Sequence, residues 1–206
     1  MRREGVFITF EGIDGCGKST QAKLLCEFLK SQGHRCILVR EPGGTSVGEK
    51  IREILLSKDS HLNPEAELFL FLASRSLLTQ NVIIPKLKEG AVVIADRYMD
   101  SSVAYQGFGR GVDLDFVKEG NFVATKGTFP DLTYYIDISV EEALRRKKKR
   151  DRMEEDVEFL KRVREGYKKI SEETDRIVFV DGERSIEEVW EDVRREFLNR
   201  IGRDRF

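Results

Sequence analysis

The octapeptide Gly12-Ile13-Asp14-Gly15-Cys16-Gly17-Lys18-Ser19 satisfies the pattern G-x-x-x-x-G-K-[ST], and it limits what the surrounding chain can become. Such a loop works only where a strand leads in and a helix leads out, because backbone N–H groups must turn inward around an anion at the helix N-terminus. Both flanks comply. Val6-Phe7-Ile8-Thr9-Phe10 is a short β-branched and aromatic run, and an amphipathic stretch begins near Lys18. Glycine at 12, 15 and 17 lets the backbone curl tightly with no Cβ facing the anion. Lys18 is placed to reach terminal phosphates, and the Ser19 hydroxyl to ligate Mg²⁺. The implied ligand is a nucleoside triphosphate.

Apolar runs alternate with helical patterns along the rest of the chain, which predicts a parallel sheet wrapped by helices on both faces. Strands are expected at Val6–Glu11, Cys36–Arg40, Val92–Asp96, Leu132–Asp137 and Ile177–Val180. Helices are expected near 18–32, 47–57, 64–89, 100–108, 113–126, 140–150, 156–174 and 185–201. Asn63-Pro64 reads as a cap followed by a first-turn proline, and Ser185-Ile186-Glu187-Glu188 as a capping box. No repeat or low-complexity linker divides the 206 residues, so one domain over 1–206 is expected: an α/β P-loop three-layer sandwich with about five parallel strands and a short mobile lid.

Thirty-six Lys and Arg nearly balance 37 Asp and Glu. A general polyanion binder would carry a basic excess, so nucleic acid is not the expected partner. No apolar run approaches the ~20 residues of a bilayer span, and Met1–Gly5 leads directly into the first strand, leaving no evident signal peptide. Cys16, Cys26 and Cys36 form no C-x-x-C pair, which points to a reducing cytoplasm. Cys16, inside the loop and near a helix N-terminus, has the setting in which a thiol pKa falls, and two readings stand for it: alkylation sensitivity suppressed by nucleotide, or an inert space-filler.

In parallel sheets ligands sit outside the carboxyl ends of the strands. Asp96 ends Ala91-Val92-Val93-Ile94-Ala95 and suits the second Mg²⁺ anchor of P-loop enzymes. Arg97 follows it, and Arg40, Arg52, Arg75 and Arg110 fall near the same edge, where converging guanidinium groups would clamp phosphate bidentately. Arg145-Arg146-Lys147-Lys148-Lys149-Arg150-Asp151-Arg152 is the densest charge run. Acidic residues follow at once, Glu154-Glu155-Asp156, which favours a lid at about 146–156 closing over triphosphate above a nucleic-acid patch. The polar residues Ser101, Ser102, Tyr105 and Gln106 could line a base pocket or cap a helix, and physics alone leaves the acceptor open.

Taken together, Phe10-Glu11-Gly12-Ile13-Asp14-Gly15, Arg40-Glu41-Pro42-Gly43-Gly44-Thr45, Ala73-Ser74-Arg75, Asp96-Arg97-Tyr98 and Ser101-Ser102-Val103-Ala104-Tyr105-Gln106-Gly107 resemble bacterial thymidylate kinases over essentially the whole chain. The resemblance implies transfer of the ATP γ-phosphoryl to dTMP, giving dTDP and ADP, by a cytoplasmic homodimer. ATP would lie on Gly12 through Ser19 and Thr20, with Arg146 packing on adenine and Arg152 near the transferred group. For dTMP, Asp14 would hold the 3′-hydroxyl, Phe71 stack on thymine, Arg75 meet a base carbonyl, and Ser102 and Gln106 read its polar edge. Tyr105 would press on the sugar where a 2′-hydroxyl would clash. Arg40, Arg52 and Arg97 match positions around the monophosphate, and Glu41 one close to the metal or monophosphate. Glycine at 15, where one branch of the family carries an arginine, resembles the branch whose cations come from the lid, although Lys147 to Asp151 is more basic than the family usually shows.

A nucleoside monophosphate with a second pKa of about 6 is mostly ionised at neutral pH, so the acceptor needs no general base. His34 and His61 lie in unremarkable settings, and catalysis is expected to rest on positioning and charge neutralisation by Lys18, Arg97 and the lid cations. The rival readings are a kinase for another nucleotide or nucleoside, and a P-loop switch or ATPase. A guanine switch would carry N-K-x-D, which this chain lacks.

Overall fold

The computed structural model describes residues 5–57, 59–146 and 157–202. Five parallel strands run β1 (Val6–Glu11), β2 (Cys36–Arg40), β3 (Val92–Asp96), β4 (Leu132–Asp137) and β5 (Ile177–Asp181) in chain order. In space they lie β2-β3-β1-β4-β5, so β1 is central and the chain reverses its winding beside it, with Phe10 opposite Asp96 on β3 and Tyr134 on β4. All five predicted strands form, the last extending one residue further, to Asp181.

Alternation along β1 assigns its side chains to two layers. Val6, Ile8 and Phe10 join Ala22, Leu25 and Leu29 of α1 (Lys18–Ser31) in the larger core. Phe7, with Val93 and Ala95 of β3, packs instead on Leu78, Ile83 and Leu87. The remaining helices are α2 (Ser46–Leu56), α3 (Pro64–Leu78), α4 (Ile84–Lys88), α5 (Met99–Ser102), α6 (Leu114–Thr125), α7 (Val140–Arg146), α8 (Val157–Glu172) and α9 (Ile186–Phe197). The caps are as predicted. Asn63 Oδ1 accepts from Ala66 N at 2.7 Å, and Ser185 and Glu188 form a reciprocal capping box.

Two predicted helices are not uniform. The run 64–89 is α3 and α4 joined by a π-helical turn, Thr79–Ile83. Pro85 has no N–H to donate one turn back, which disrupts the i→i−4 ladder at that point. This run, Pro64–Lys88, is also long and apolar enough by composition to pass for a membrane span, contrary to the expectation from the bare sequence. It packs against α2 and α6 and carries Glu67 and Arg75 in buried ion pairs. The other run, 100–108, is α5 followed by a π-helical segment, Val103–Gly109. Gly109 is required there, because a Cβ would meet Phe159 at 2.6 Å and Val163 at 2.8 Å on α8. The predicted helix 140–150 is seen to Arg146, and most of the expected lid, 147–156, lies outside the described residues.

Candidate active site

The phosphate loop leaves β1 and enters α1 through three glycines at positive φ: Gly12 at 139°, Gly15 at 90° and Gly17 at 96°. A Cβ on Gly12 would sit 2.4 Å from Ile136 O. One on Gly15 would sit 2.8 Å from Ala143 O, so α7 packs directly on that position. Gly17 caps α1 and has open space on its free side. The loop is therefore shaped by close backbone packing behind and left open in front, as an anion cradle must be.

Beside it lies a cavity of about 660 Å³. It is lined by Asp14, Lys18, Ser19, Asp96 and Arg97 near the carboxyl ends of β1 and β3, by Arg40, Glu41 and Arg52, and by Phe71, Ser102, Tyr105 and Gln106. Strand order explains the convergence, since β1, β2 and β3 are neighbours whose carboxyl ends deliver Asp14, Arg40–Glu41 and Asp96–Arg97 to one edge. Ser19 Oγ donates to Asp96 Oδ2 at 2.5 Å, and Asp96 Oδ1 is buried with no protein partner among the described residues. A hydroxyl and a carboxylate with one unused oxygen are the hard donors that suit Mg²⁺. No group of three or more His, Cys, Asp or Glu side chains gathers among the described residues, so a cation here would take further ligands from phosphates and water.

Lys18 Nζ donates to Asp14 Oδ1 at 2.6 Å, and Arg97 Nη2 bonds the same oxygen. Burial and the Arg97 charge act to lower the Lys18 pKa, but Asp14 and Asp96 outweigh them and leave it raised. Lys18 stays an ammonium. Arg97 is the centre of a fan of contacts: besides Asp14, it donates through Nη1 to Ser101 Oγ and Tyr167 OH, each at 3.2 Å, and through Nη2 to Tyr105 OH at 3.1 Å. Its backbone φ is 72°, an uncommon conformation for a residue with a side chain.

The wall of Arg40, Glu41 and Arg52 is less exposed than the sequence reading implied. Arg75 is fully buried and does not line the cavity. Its Nε donates to Glu41 Oε2 at 2.7 Å, Nη1 to Ser102 Oγ at 2.8 Å and Asn121 Oδ1 at 2.5 Å, and Nη2 to Tyr98 O at 3.0 Å. It stands one layer behind Glu41 and Ser102, which do face the cavity. Burial pushes the Glu41 carboxyl up, and the Arg75 charge only partly offsets this. Arg52 Nη1 donates to Pro42 O at 3.0 Å, and Arg40 reaches Glu49 at 3.2 Å. Gln106 Nε2 donates to the buried Glu67 Oε1 at 2.9 Å. Because a carboxylate only accepts, this contact fixes which end of the amide is the donor. Arg110 lies outside the cavity wall, paired with Glu67.

For Cys16 the structure favours the inert reading. The thiol is buried, and burial pushes its pKa up in spite of Lys18, so the helix N-terminus does not make it reactive. At the donor end, Arg146 Nε bonds Glu142 at 2.6 Å and Nη1 bonds Gly182 O at 2.9 Å. Arg152 lies outside the described residues.

Three buried residues escaped the sequence reading as contributors to the site, Glu67, Asn121 and Tyr167, and Glu11, noted at the ligand edge of the sheet, was given no role. Glu11 ends β1, fully buried, and burial with the nearby Asp100 charge pushes its carboxyl up to about 7. The one available signal was a carboxylate closing the apolar run Val6–Phe10.

Comparison with known proteins agrees with this geometry. The family model "Thymidylate kinase" matches residues 10–193. A thymidylate kinase of Caldanaerobacter subterraneus subsp. tengcongensis is 53% identical over 182 residues, 86% of this chain and 88% of that protein. One of Kosmotoga olearia is 48% identical over 198 residues, covering 94% and 95%. The crystal structure of thymidylate kinase from Ehrlichia chaffeensis aligns with a TM-score of 0.78 at 35% identity, over 94% of this chain and 98% of that one. A phosphate loop on a five-stranded parallel sheet, one cavity joining it to a polar and aromatic pocket, and these matches across nearly the whole length lead to one assignment: the chain belongs to the thymidylate kinase family.

Proposed function

We propose that the continuous cavity holds both reactants end to end, with ATP on the phosphate loop and dTMP in the pocket beyond Arg97. As a member of its family the chain phosphorylates dTMP to dTDP with ATP as donor. The observation that carries the arrangement is one cavity lined both by Lys18, Ser19, Asp96 and Arg97 and by Phe71, Ser102 and Gln106. Lys18 exchanges its Asp14 contact for the β- and γ-phosphates, while Gly12 to Thr20 supply backbone donors. Arg97, with Arg40 and Arg52, holds the acceptor phosphate in line. Ser19 and Asp96 would hold Mg²⁺, which would supply charge neutralisation on the phosphate oxygens. Glu41 stands close to the phosphate end of dTMP.

Asp14 holds the 3′-hydroxyl, and Tyr105 flanks the sugar. Phe71 stacks on the base, whose polar edge meets Ser102 and Gln106, while Arg75 holds Ser102 from behind. Arg146, its guanidinium plane held by Glu142 and Gly182 O, packs on adenine. Arg152, from the lid at 146–156, stabilises charge as the phosphoryl moves. No general base is required, because the acceptor oxygen is already ionised. Exposed Phe69 on α3 with Phe116, Phe122 and Val123 on α6 support a homodimer through that face, and three buried free thiols support a reducing, cytoplasmic setting.

The test is ADP formation with ATP and Mg²⁺ against a panel of nucleoside monophosphates, with thymidine and no-acceptor controls. Strong preference for dTMP with dTDP as product is expected. Preference for another monophosphate would overturn the roles of Phe71, Ser102 and Gln106. Hydrolysis independent of acceptor would overturn the arrangement altogether.

A further inference from the structure

Arg97 occupies a backbone conformation with φ of 72° at a point where its side chain must be aimed across the cavity. Such a residue holds still only if its surroundings over-determine it. Part of the constraint is direct: Arg97 N donates to Phe10 O at 3.0 Å. The rest comes from one buried carboxylate. Glu11 Oε1 accepts from Tyr98 N at 2.7 Å, fixing the peptide that follows Arg97. Glu11 Oε2 accepts from Ser101 Oγ at 2.6 Å and from Tyr167 OH at 3.0 Å, and those two oxygens are 2.8 Å apart. Both of them in turn face Arg97 Nη1 at 3.2 Å.

The hydrogen-bond directions follow from counting protons. Each hydroxyl has one proton, and Glu11 in its ionised form, which prevails above about pH 7, can only accept, so the count holds at about pH 8, where the rates below are read. Both protons therefore run toward Glu11, either directly or with one hydroxyl relaying through the other. Both oxygens are then left with lone pairs for the guanidinium. We propose that Glu11 is the positioning residue for Arg97, fixing its backbone through Tyr98 N and orienting Ser101 and Tyr167 as acceptors for its Nη1. The proposal deepens the role given to Arg97 above and rests on it. Glu11 itself does not line the cavity and touches no reactant.

Glu11→Gln is nearly isosteric yet reverses the polarity. With its amide nitrogen toward Ser101 and Tyr167, it drives a proton at oxygens that must accept from Arg97. Turned over, it sets an N–H against Tyr98 N–H. Glu11→Gln is expected to lower kcat about 10- to 100-fold, the size of one or two hydrogen bonds to a charged group, with KM for ATP little changed. In an Arg97→Ala background the same substitution should change kcat less than about twofold, since a positioning residue has nothing left to position. Tyr167→Phe, which removes one of the two acceptors and leaves the carboxylate, gives a second reading and should fall between wild type and Glu11→Gln. Circular dichroism and thermal unfolding on every variant separate lost positioning from lost fold. A rate for Glu11→Gln within twofold of wild type would overturn the proposal. So would an equal loss in both backgrounds, which would mark Glu11 as merely structural. An Arg97→Ala enzyme at the wild-type rate is a different failure: it removes Arg97 from the reaction, and this proposal with it.

Discussion

Replacing Arg75 by methionine removes the positive member of a pair whose side chains are 1% and 2% exposed, and leaves Glu41 in place. The Glu41 carboxylate, only 2% exposed, then has no counter-ion, while Asn121 Oδ1 and Tyr98 O each lose a donor. Breaking a buried pair from one side costs about 3–5 kcal/mol, most of it the stranded charge. For a chain of this length that corresponds to a fall in Tm on the order of 10 °C. Two features separate this cause from simple loss of packing. First, Arg75→Met with Glu41→Gln should recover most of the loss, because a neutral amide has no charge to strand. Second, the deficit should depend on pH. Burial already raises the Glu41 pKa, and Arg75 is what restrains it; without Arg75 it rises further. A group whose folded-state pKa lies above its unfolded value binds more protons when folded, so its stabilisation is present at low pH and is lost as pH rises through the folded pKa. The deficit of Arg75→Met against wild type should be smallest at about pH 5 and widen toward about pH 8. Denaturant unfolding at both pH values measures it. A loss under about 1 kcal/mol at the higher pH, or one equal at both, would refute the buried-charge reasoning.

Lys18→Ala should lower kcat about 100-fold or more, since it removes a donor aimed at transferring phosphate; single-turnover kinetics at saturating ATP would measure this, and a change confined to KM would make Lys18 a ground-state binder. Asp96→Asn should raise the Mg²⁺ concentration needed for half-maximal rate, read by titrating Mg²⁺ at fixed ATP; an unchanged requirement would remove Asp96 from the metal site. Cys16 should resist alkylation in the native protein with or without ATP and react only on unfolding, as mass spectrometry after iodoacetamide would report; protection by nucleotide would contradict its burial and raised pKa. Arg152→Ala should lower kcat more than dTMP affinity, and a change in KM alone would remove Arg152 from the transition state.

The phosphate loop and the Asp96-Arg97 edge were legible because each announces itself locally, whereas Phe71, Ser102, Tyr105 and Gln106 were read only through the family resemblance. The phosphate loop is a contiguous pattern, and Asp96-Arg97 closes a β-branched run at the sheet edge where ligands bind. The strands were legible for the same reason: buried parallel strands are short, apolar and bounded by charge or glycine. What the sequence hides is orientation, because the partners that aim a side chain lie far off along the chain. Glu11 meets Tyr167 across 156 positions, Arg75 meets Asn121 across 46, and Gln106 meets Glu67 across 39. No window-based pattern spans those distances. The same limit explains Arg75, read as facing a base and found one layer behind Ser102, and Cys16, whose helix-terminal position argued for reactivity until burial outweighed it. It also explains the π-helical turns, which keep a helical period on either side and shift only the register between. A weaker clue was available at three of these positions. Glu11 closes an apolar strand, and Glu67 and Arg75 interrupt an apolar helical run. Charge placed where burial is forced is costly unless it is paired, so such a residue predicts a distant partner before that partner can be named. In this chain the partners of Glu11 and Arg75 converge on Tyr98 and the neighbouring Ser101 and Ser102. The buried charges and the catalytic edge are thus one construction, in which β3 and the segment after it are held from behind by the residues that no motif reveals.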